Sequence, residues 1–157
     1  MRRKEREVTD ESRIKEIILA CGTCRVALNT GEAPYIVPLS FGYEENGGLR
    51  TLYFHGAKEG RKVELMKNNA YAGFEMDTDR EIVEGETACG YTAMYKSVIG
   101  TGSIEFIEDT DEKRRALDII MRHYSDRETF EYADEMLNLV CVFKLSIKEL
   151  SCKEHRK

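Results

Sequence analysis

The residues best suited to chemistry form one run, His55-Gly56-Ala57-Lys58-Glu59-Gly60-Arg61-Lys62, between a predicted apolar strand and a predicted helix. Exposed N–H groups at the start of a helix attract negative charge, and glycine lets a backbone approach a ligand closely. Lysine and arginine add charge-assisted hydrogen bonds to phosphate oxygens. The run therefore indicates an anion site, although a solvated, charged helix start would have the same composition.

The spacing of the glycines narrows the class of anion. The segment that begins at Gly56 is one residue short of a nucleoside-triphosphate loop, and Val63 stands where serine or threonine would bind magnesium. A dinucleotide fingerprint is also absent, because Gly100-Thr101-Gly102 lacks the third glycine of G-x-G-x-x-G. A mononucleotide phosphate remains as the ligand class.

A second candidate lies in the strand-like run from Pro34 to Phe41, which Pro38 interrupts. Proline cannot donate to a strand ladder and is expected at a sheet edge or a bulge, where neighbouring backbone groups stay free. Those groups could contact the polar edge of a ligand. An ordinary edge strand explains the pattern equally well.

Four blocks of the chain, residues 24–28, 35–43, 52–62 and 95–102, occur in an order that resembles one protein family. They are similar to the pyridoxamine 5'-phosphate oxidase-like flavin split barrels, in the branch that contains the 5-nitroimidazole-resistance (Nim) proteins. The most specific block is His-Gly-Ala followed by Gly-x-Lys. The resemblance implies an α+β, mainly β fold, a six-stranded antiparallel split β-barrel with flanking helices. It also implies a homodimer that binds flavin mononucleotide (FMN) at its interface.

The resemblance further implies which residues hold FMN. The cations near the phosphate would be Lys58, Arg61 and Lys62. The residues along the flavin ring would be Val37, Pro38, Leu39 and Ser40. The residues beneath the ribityl chain or the ring edge would be His55, Gly56 and Ala57. The other subunit would contribute Tyr95, Lys96 and Ser97.

The function that the resemblance implies is two-electron transfer. N5 of a bound flavin accepts and delivers the hydride while the protein binds and orients it. We expect an oxidoreductase that acts on a small molecule, with nitroimidazole reduction as the implied reaction and NADH or NADPH as candidate electron donors. The end of the chain, residues 150–157, lacks the Arg-Leu-x-Pro segment of pyridoxamine phosphate oxidase, which argues against that enzyme's own reaction. The alternatives are a non-catalytic carrier or sensor of FMN or haem, and a dimerisation domain that has lost its cofactor.

The histidines and cysteines add little chemistry of their own. His55 could be a haem or metal ligand, a proton donor beside the flavin, or a polar residue at a strand end; no other histidine or cysteine lies at metal-ligand spacing from it, which favours a non-metal role lining the ligand. Cys21 and Cys24 have C-x-x-C spacing without a second pair, and we expect buried structural thiols. No Ser-His-Asp or Cys-His arrangement is evident, so no catalytic residue is assigned.

Composition excludes several classes of protein. The chain has 157 residues, of which 41% are hydrophobic and 34% charged, as in an ordinary globular domain. The net charge of -5 argues against nucleic-acid binding. No run of about 18 apolar residues occurs, so we expect no membrane span. Five cysteines without an export signal predict a cytoplasmic protein.

Periodicity predicts the elements that must position these residues in one domain, 1–157, with flexible tails at 1–9 and 153–157. Predicted helices cover residues 10–20, 60–67, 109–124 and 126–138. Predicted strands cover residues 25–28, 35–43, 49–55, 71–76, 95–107 and 139–147. The acidic stretch Asp77 to Glu86 is interpreted as a solvated loop, and Lys153 to Lys157 as too polar to pack.

Overall fold

The computed structural model describes residues 3–156 as one antiparallel sheet with flanking helices, which confirms the predicted mainly β class. The strands are β1 (Glu7–Val8), β2 (Cys24–Leu28), β3 (Tyr35–Leu39), β4 (Phe41–Asn46), β5 (Leu49–Ala57), β6 (Tyr71–Val83), β7 (Thr92–Ile107) and β8 (Val140–His155). The helices are α1 (Glu11–Ala20), α2 (Arg61–Asn68), α3 (Thr110–Tyr124) and α4 (Asp134–Leu139). The strand order is β3-β2-β6-β7-β8-β5-β4, and β1 also pairs with β8.

The hydrogen-bonded sheet is not closed, and its opening lies at Ser40. Its edge strands are β3, which pairs with β2, and β4, which pairs with β5. Only Ser40 separates these two edges along the chain. Pro38, which has no N–H to donate, lies just before the break. The strand predicted over residues 35–43 is therefore two strands, and with the short β1 the sheet has eight strands instead of the predicted six.

Helix α3 holds the chain together at this opening. The Tyr124 hydroxyl accepts a hydrogen bond from the Phe41 N–H at 3.0 Å and donates one to the Gly22 carbonyl at 3.0 Å. A Cβ at Gly42 would lie 2.7 Å from the Ile120 nitrogen, so only glycine lets β4 approach α3 this closely. The first residues of β4 are thus fixed against a rigid helix.

The core fills the inside of the curved sheet. Phe41, Phe54 and Phe143 are fully buried there, and the rings of Phe54 and Phe143 stack with centroids 5.2 Å apart. The helical spacing of Ile14, Ile17 and Ile18 predicts one apolar face of α1, and the structure confirms it because all three are buried. The sequence offers Thr9 or Asp10 as the N-cap of α1, and Asp10 takes that position by accepting a hydrogen bond from the Arg13 N–H at 2.7 Å. No helix in residues 3–156 is long and apolar enough to cross a membrane.

The acidic stretch predicted as a loop is largely strand, so that prediction is wrong for residues 77–83. β6 continues through them and pairs with β7. Cross-strand partners offset the acidic charges: Arg25 contacts Glu75 at 3.0 Å and Asp77 at 2.8 Å, and Lys96 forms an ion pair with Asp79. Those partners come from distant parts of the chain, which composition alone does not reveal.

The predicted helix over residues 126–138 is mostly wrong. Only Asp134–Leu139 is helical, and residues 125–133 are irregular. Side chains of α3 hold this irregular segment, because Arg114 donates to the Tyr132 carbonyl at 3.1 Å and Asp118 accepts from the Tyr132 hydroxyl at 2.9 Å. These two bonds attach the irregular segment to α3.

The predicted end of the last strand at Ile147 is wrong, and the prediction that the C-terminal tail does not pack is wrong for residues 153–155. β8 runs on to His155 and pairs there with β1 and β7. Glu154 is buried. Its carboxylate accepts hydrogen bonds from Arg13 Nε at 3.1 Å and from Arg156 at 2.5 Å, which satisfy the buried charge. Met1, Arg2 and Lys157, at the ends of the predicted tails, lie outside the described residues.

Candidate functional site

The turn from β5 into α2 is made by three residues, Lys58 to Gly60. Gly60 has φ +114°, in the left-handed region that favours glycine, and it caps α2 without a side chain. Its carbonyl accepts hydrogen bonds from the N–H groups of Val63 at 2.9 Å and Glu64 at 3.2 Å. The glycine thus lets the chain reverse abruptly and places the first turn of α2 directly beside the end of β5.

The cations of this turn are arranged around glycine and an aromatic ring. The Arg61 guanidinium lies 4.6 Å from the centroid of the Tyr35 ring, which joins the start of α2 to β3. Lys62 Nζ lies against Gly56, where a Cβ would overlap it. Among residues 3–156, neither these two cations nor Lys58 forms an ion pair with a carboxylate.

The arrangement fits a phosphate group. Three uncompensated cations, a glycine whose missing side chain makes room for an ammonium group, and the positive end of α2 all favour a bound anion. A solvated, charged helix start is the other interpretation of the same cations, and FMN retention in variants of Arg61 and Lys62 separates the two.

The residues predicted along the flavin ring point in two directions. Val37 and Leu39 are half-buried and pack against the core, whereas Pro38 and Ser40 are exposed. A ligand on the outside would therefore contact the side chains of Pro38 and Ser40. It would contact only the backbone of the other two.

His55, another of the predicted cofactor-binding residues, lines an apolar pocket. The side chain is exposed at the surface. Two effects lower the pKa of His55: partial desolvation by the surrounding protein, which is the larger, and the positive charge of Lys62. The pocket has a volume of about 240 Å³ and lies between α3 and α4, with Leu117, Ile120 and Leu137 in its walls. Sequence reasoning missed it because its walls meet only in the folded chain; the nearest sequence signal is Met136, an exposed methionine on α4.

Within one chain, Tyr95, Lys96 and Ser97 lie far from the turn after β5. They lie closer to Pro38, which is level with Ile99 of β7 and separated from it by β2 and β6. Ser97 pairs with Lys153 of β8, whereas Gly56 pairs with Cys141, twelve residues earlier on the same strand. Twelve residues of extended strand span roughly 40 Å. The described chain therefore does not bring these residues together, and a contribution from a second subunit stays a prediction.

Comparisons with known proteins agree with this geometry. The family model described as pyridoxamine 5'-phosphate oxidase matches residues 10–154. The chain belongs to the pyridoxamine 5'-phosphate oxidase-like family. Within this family, a Bacteroides thetaiotaomicron protein for which 5-nitroimidazole antibiotic resistance is proposed is 36% identical, with a TM-score of 0.81 over 94% of this chain and 85% of that chain.

Two more distant structures share the fold of this pyridoxamine 5'-phosphate oxidase-like chain. The flavocytochrome Anf3 from Azotobacter vinelandii is 21% identical, with a TM-score of 0.80 over 96% of this chain and 70% of that chain. An FAD and haem binding protein from Mycobacterium smegmatis is 20% identical, with a TM-score of 0.82 over 97% and 74% of the two chains. No curated protein matches the chain.

The cysteines do not add a redox or metal centre to the site. Cys21 and Cys24 are free and buried, as predicted, and burial raises the pKa of the Cys21 thiol to about 12. Burial also raises the pKa of the Cys24 thiol. No group of three histidine, cysteine or acidic side chains in residues 3–156 is arranged to hold a metal ion.

Proposed function

We propose that this chain is a cytoplasmic, homodimeric FMN-binding flavoprotein that transfers two electrons to or from a small molecule. The observation that carries the proposal is the position of Arg61 and Lys62. Both lie at a helix start formed by glycine, without a carboxylate partner among residues 3–156, in a member of the pyridoxamine 5'-phosphate oxidase-like family. Pro38 lies on the strand that Arg61 contacts through Tyr35, and Ser40 follows the end of that strand; both are exposed at the sheet opening.

Each residue of the site has a defined task in this proposal. Arg61 and Lys62 donate hydrogen bonds to the FMN phosphate, and the Tyr35 ring orients the Arg61 guanidinium. Gly56 leaves the space that Lys62 occupies. FMN, when bound, supplies the two-electron chemistry at its N5 position. In the proposed dimer, Tyr95 to Ser97 reach the cofactor from the second subunit.

The proposed substrate is a small aromatic or nitro-substituted molecule. The apolar pocket beside His55 offers walls suited to one ring, and the lowered pKa of His55 favours a neutral imidazole at its mouth. The similarity to the Bacteroides protein supports nitroimidazole reduction as the reaction. NADH and NADPH are the proposed electron donors.

Purification followed by mutation tests the cofactor. The purified protein is expected to be yellow with a flavin spectrum, and each phosphate contact contributes about 1.5–3 kcal/mol, or about 10- to 150-fold in affinity. The Arg61→Ala/Lys62→Ala double variant should therefore lose FMN on gel filtration. Lys15→Ala, an exposed lysine on α1, is the matched control and should keep it. Unchanged FMN retention in the double variant would refute the site.

Turnover is tested separately from binding. Under anaerobic conditions, NADH or NADPH is added to the FMN-loaded protein and bleaching of the flavin absorbance is followed, then its recovery on adding a 5-nitroimidazole. Reduction and reoxidation at catalytic rates support the enzyme. A protein that keeps FMN but is neither reduced nor reoxidised is a carrier or sensor.

A second candidate function is a haem-binding module, and the observation that favours it is His55 itself. The exposed imidazole of His55, whose lowered pKa favours the neutral form, could bind haem iron, and two structures that share the fold are a flavocytochrome and an FAD and haem binding protein. Haem addition should then give a Soret band that His55→Ala abolishes and the Arg61→Ala/Lys62→Ala variant keeps. Absence of a Soret shift in the wild type excludes this candidate.

A further inference from the structure

A second cationic pocket lies beside α2. We call it the lysine pocket; it has a volume of about 180 Å³ and lies between α2, the start of α3 and the start of β8. Its cations are Lys58, Lys67 and Lys113, and Cys141 lies in its wall. Arg61, Lys62 and Tyr35 do not line it, which distinguishes it from the proposed FMN phosphate site, although Lys58 belongs to both.

Lys113 is the unusual member of this pocket. It is only 5% exposed, and its ammonium group has one hydrogen bond, a long one of 3.5 Å to the Val140 carbonyl. No carboxylate among residues 3–156 lies within ion-pair distance of it. Lys113 also lies in the first turn of α3, where the positive end of the helix disfavours a cation. A buried charge in such a position calls for a counter-ion.

The acidic residues nearby do not supply that counter-ion. Glu108 lines the lysine pocket but is exposed and forms no described ion pair with any of the three lysines. Asp109, at the N-cap of α3, accepts the N–H groups of Asp111 and Glu112 and is committed to the helix. Lys144, a half-buried lysine of β8, does have a carboxylate partner, Glu105.

We propose that the lysine pocket binds a compact oxyanion, a phosphate or carboxylate group, with Lys113 as the buried contact and Lys58 and Lys67 at its mouth. Three ammonium groups around a small pocket with apolar walls focus positive potential where water screens it least. The apolar walls are formed by Val63, Phe106 and Val142. The small volume suits a compact group and excludes a flavin ring.

Cys141 provides a reporter for this site. It is 8% exposed and lines the lysine pocket, and burial, the largest effect, raises the pKa of its thiol while the nearby lysines oppose that rise. An anion in the pocket would cover the sulfur and shield it from alkylation. Cys89, an exposed thiol outside the pocket, is the internal control in the same molecule.

The experiment measures alkylation of Cys141 by iodoacetamide, read out by peptide mass spectrometry, in the protein as purified. Inorganic phosphate and acetate are titrated against chloride at constant ionic strength. At least one of the two anions should slow labelling of Cys141 and leave labelling of Cys89 unchanged. The anion that protects at the lower concentration identifies the oxyanion class. Equal labelling of Cys141 with and without both anions overturns the proposal.

Variants show whether Lys113 is the contact. Lys113→Met keeps the length of the side chain and removes the charge, so it should abolish the protection; Lys67→Met should weaken it about tenfold, as expected for one charge-assisted contact. Lys148→Met, an exposed lysine in the middle of β8, should leave it intact. Circular dichroism melts confirm that each variant folds. Full protection in both Lys113→Met and Lys67→Met overturns the assignment.

The Arg61→Ala variant separates this site from the proposed flavin site. Loss of FMN with protection of Cys141 by phosphate retained shows that the lysine pocket binds its anion independently. Loss of both FMN and the protection by phosphate would show that the pocket is part of the flavin phosphate site. Protection of Cys141 by FMN, with no further effect of phosphate, would show the same, and either result overturns the proposal. A wild-type protein that takes up no FMN but is still protected by phosphate refutes the proposed function and keeps this inference.

Discussion

Protonation of Glu154 is predicted to weaken the attachment of β8 to α1. The side chain is 4% exposed and its carboxylate is held by Arg13 and Arg156. These hydrogen bonds, led by Arg13, lower the pKa of Glu154 from 4.5 to about 2. A fall of that size corresponds to about 3 kcal/mol of folding free energy at neutral pH, and we take about 2–3 kcal/mol because both arginines are partly exposed to solvent.

The sign of the effect fixes the pH range. A carboxylate whose pKa is lower in the folded protein stabilises it above the unfolded pKa of 4.5, and this stabilisation disappears as the pH falls towards 2. Urea unfolding of the wild type and Glu154→Gln should therefore differ by about 2–3 kcal/mol at pH 7. At pH 3.5 the difference should be smaller by about 1.4 kcal/mol.

A second acidic partner of Arg13 serves as the control. Glu16 contacts Arg13 at 2.6 Å but its side chain is 63% exposed, so Glu16→Gln should cost no more than about 1 kcal/mol. The reasoning is refuted if Glu154→Gln has the same effect at both pH values. It is also refuted if Glu16→Gln destabilises the protein as much as Glu154→Gln.

Three further substitutions test contacts of the fold and the site. Gly42→Ala should lower the free energy of unfolding in urea by about 1–3 kcal/mol, because its Cβ would overlap the backbone of α3, whereas Gly22→Ala, with open space around it, should change it by less than about 0.5 kcal/mol. Gly56→Ala should displace Lys62 Nζ and weaken FMN binding about tenfold in a fluorescence titration, with an unchanged melting temperature. Tyr124→Phe should remove two hydrogen bonds at the sheet opening and cost about 1–3 kcal/mol, with faster hydrogen exchange at the first amide of β4; unchanged exchange there would contradict the role of the hydroxyl.

Periodic apolar residues predicted the elements well where one face is buried against the core. The isoleucine face of α1 is present as predicted, and Asp10 is the one of two candidate caps that the helix uses. Strand ends were missed where the residues are charged, at β6 beyond Met76 and at β8 beyond Ile147. The charges there are satisfied by partners far away in sequence, as Asp77 is by Arg25, and local composition carries no sign of that pairing.

The candidate site was predictable in part for a similar reason. The glycine turn and the cations of residues 56–62 are adjacent in sequence, so their chemistry could be recognised directly. The Tyr35 ring beneath Arg61, the apolar pocket beside His55 and the buried position of Lys113 depend on elements that meet only after folding. Positions within one turn could be predicted, and contacts between distant turns could not.

The position of β8 in the sheet determines when the sheet can be completed during synthesis of the chain. β8 is the last strand in chain order, yet it lies between β7 and β5 and also carries β1. At about 5–20 residues per second, the ribosome needs roughly 4–17 s to proceed from the end of β5 to the start of β8. Until β8 emerges, β5 and β7 each have an unpaired edge, which is a template for aggregation. The nascent chain therefore completes its sheet in one late step, and β5 and β7 need protection until then.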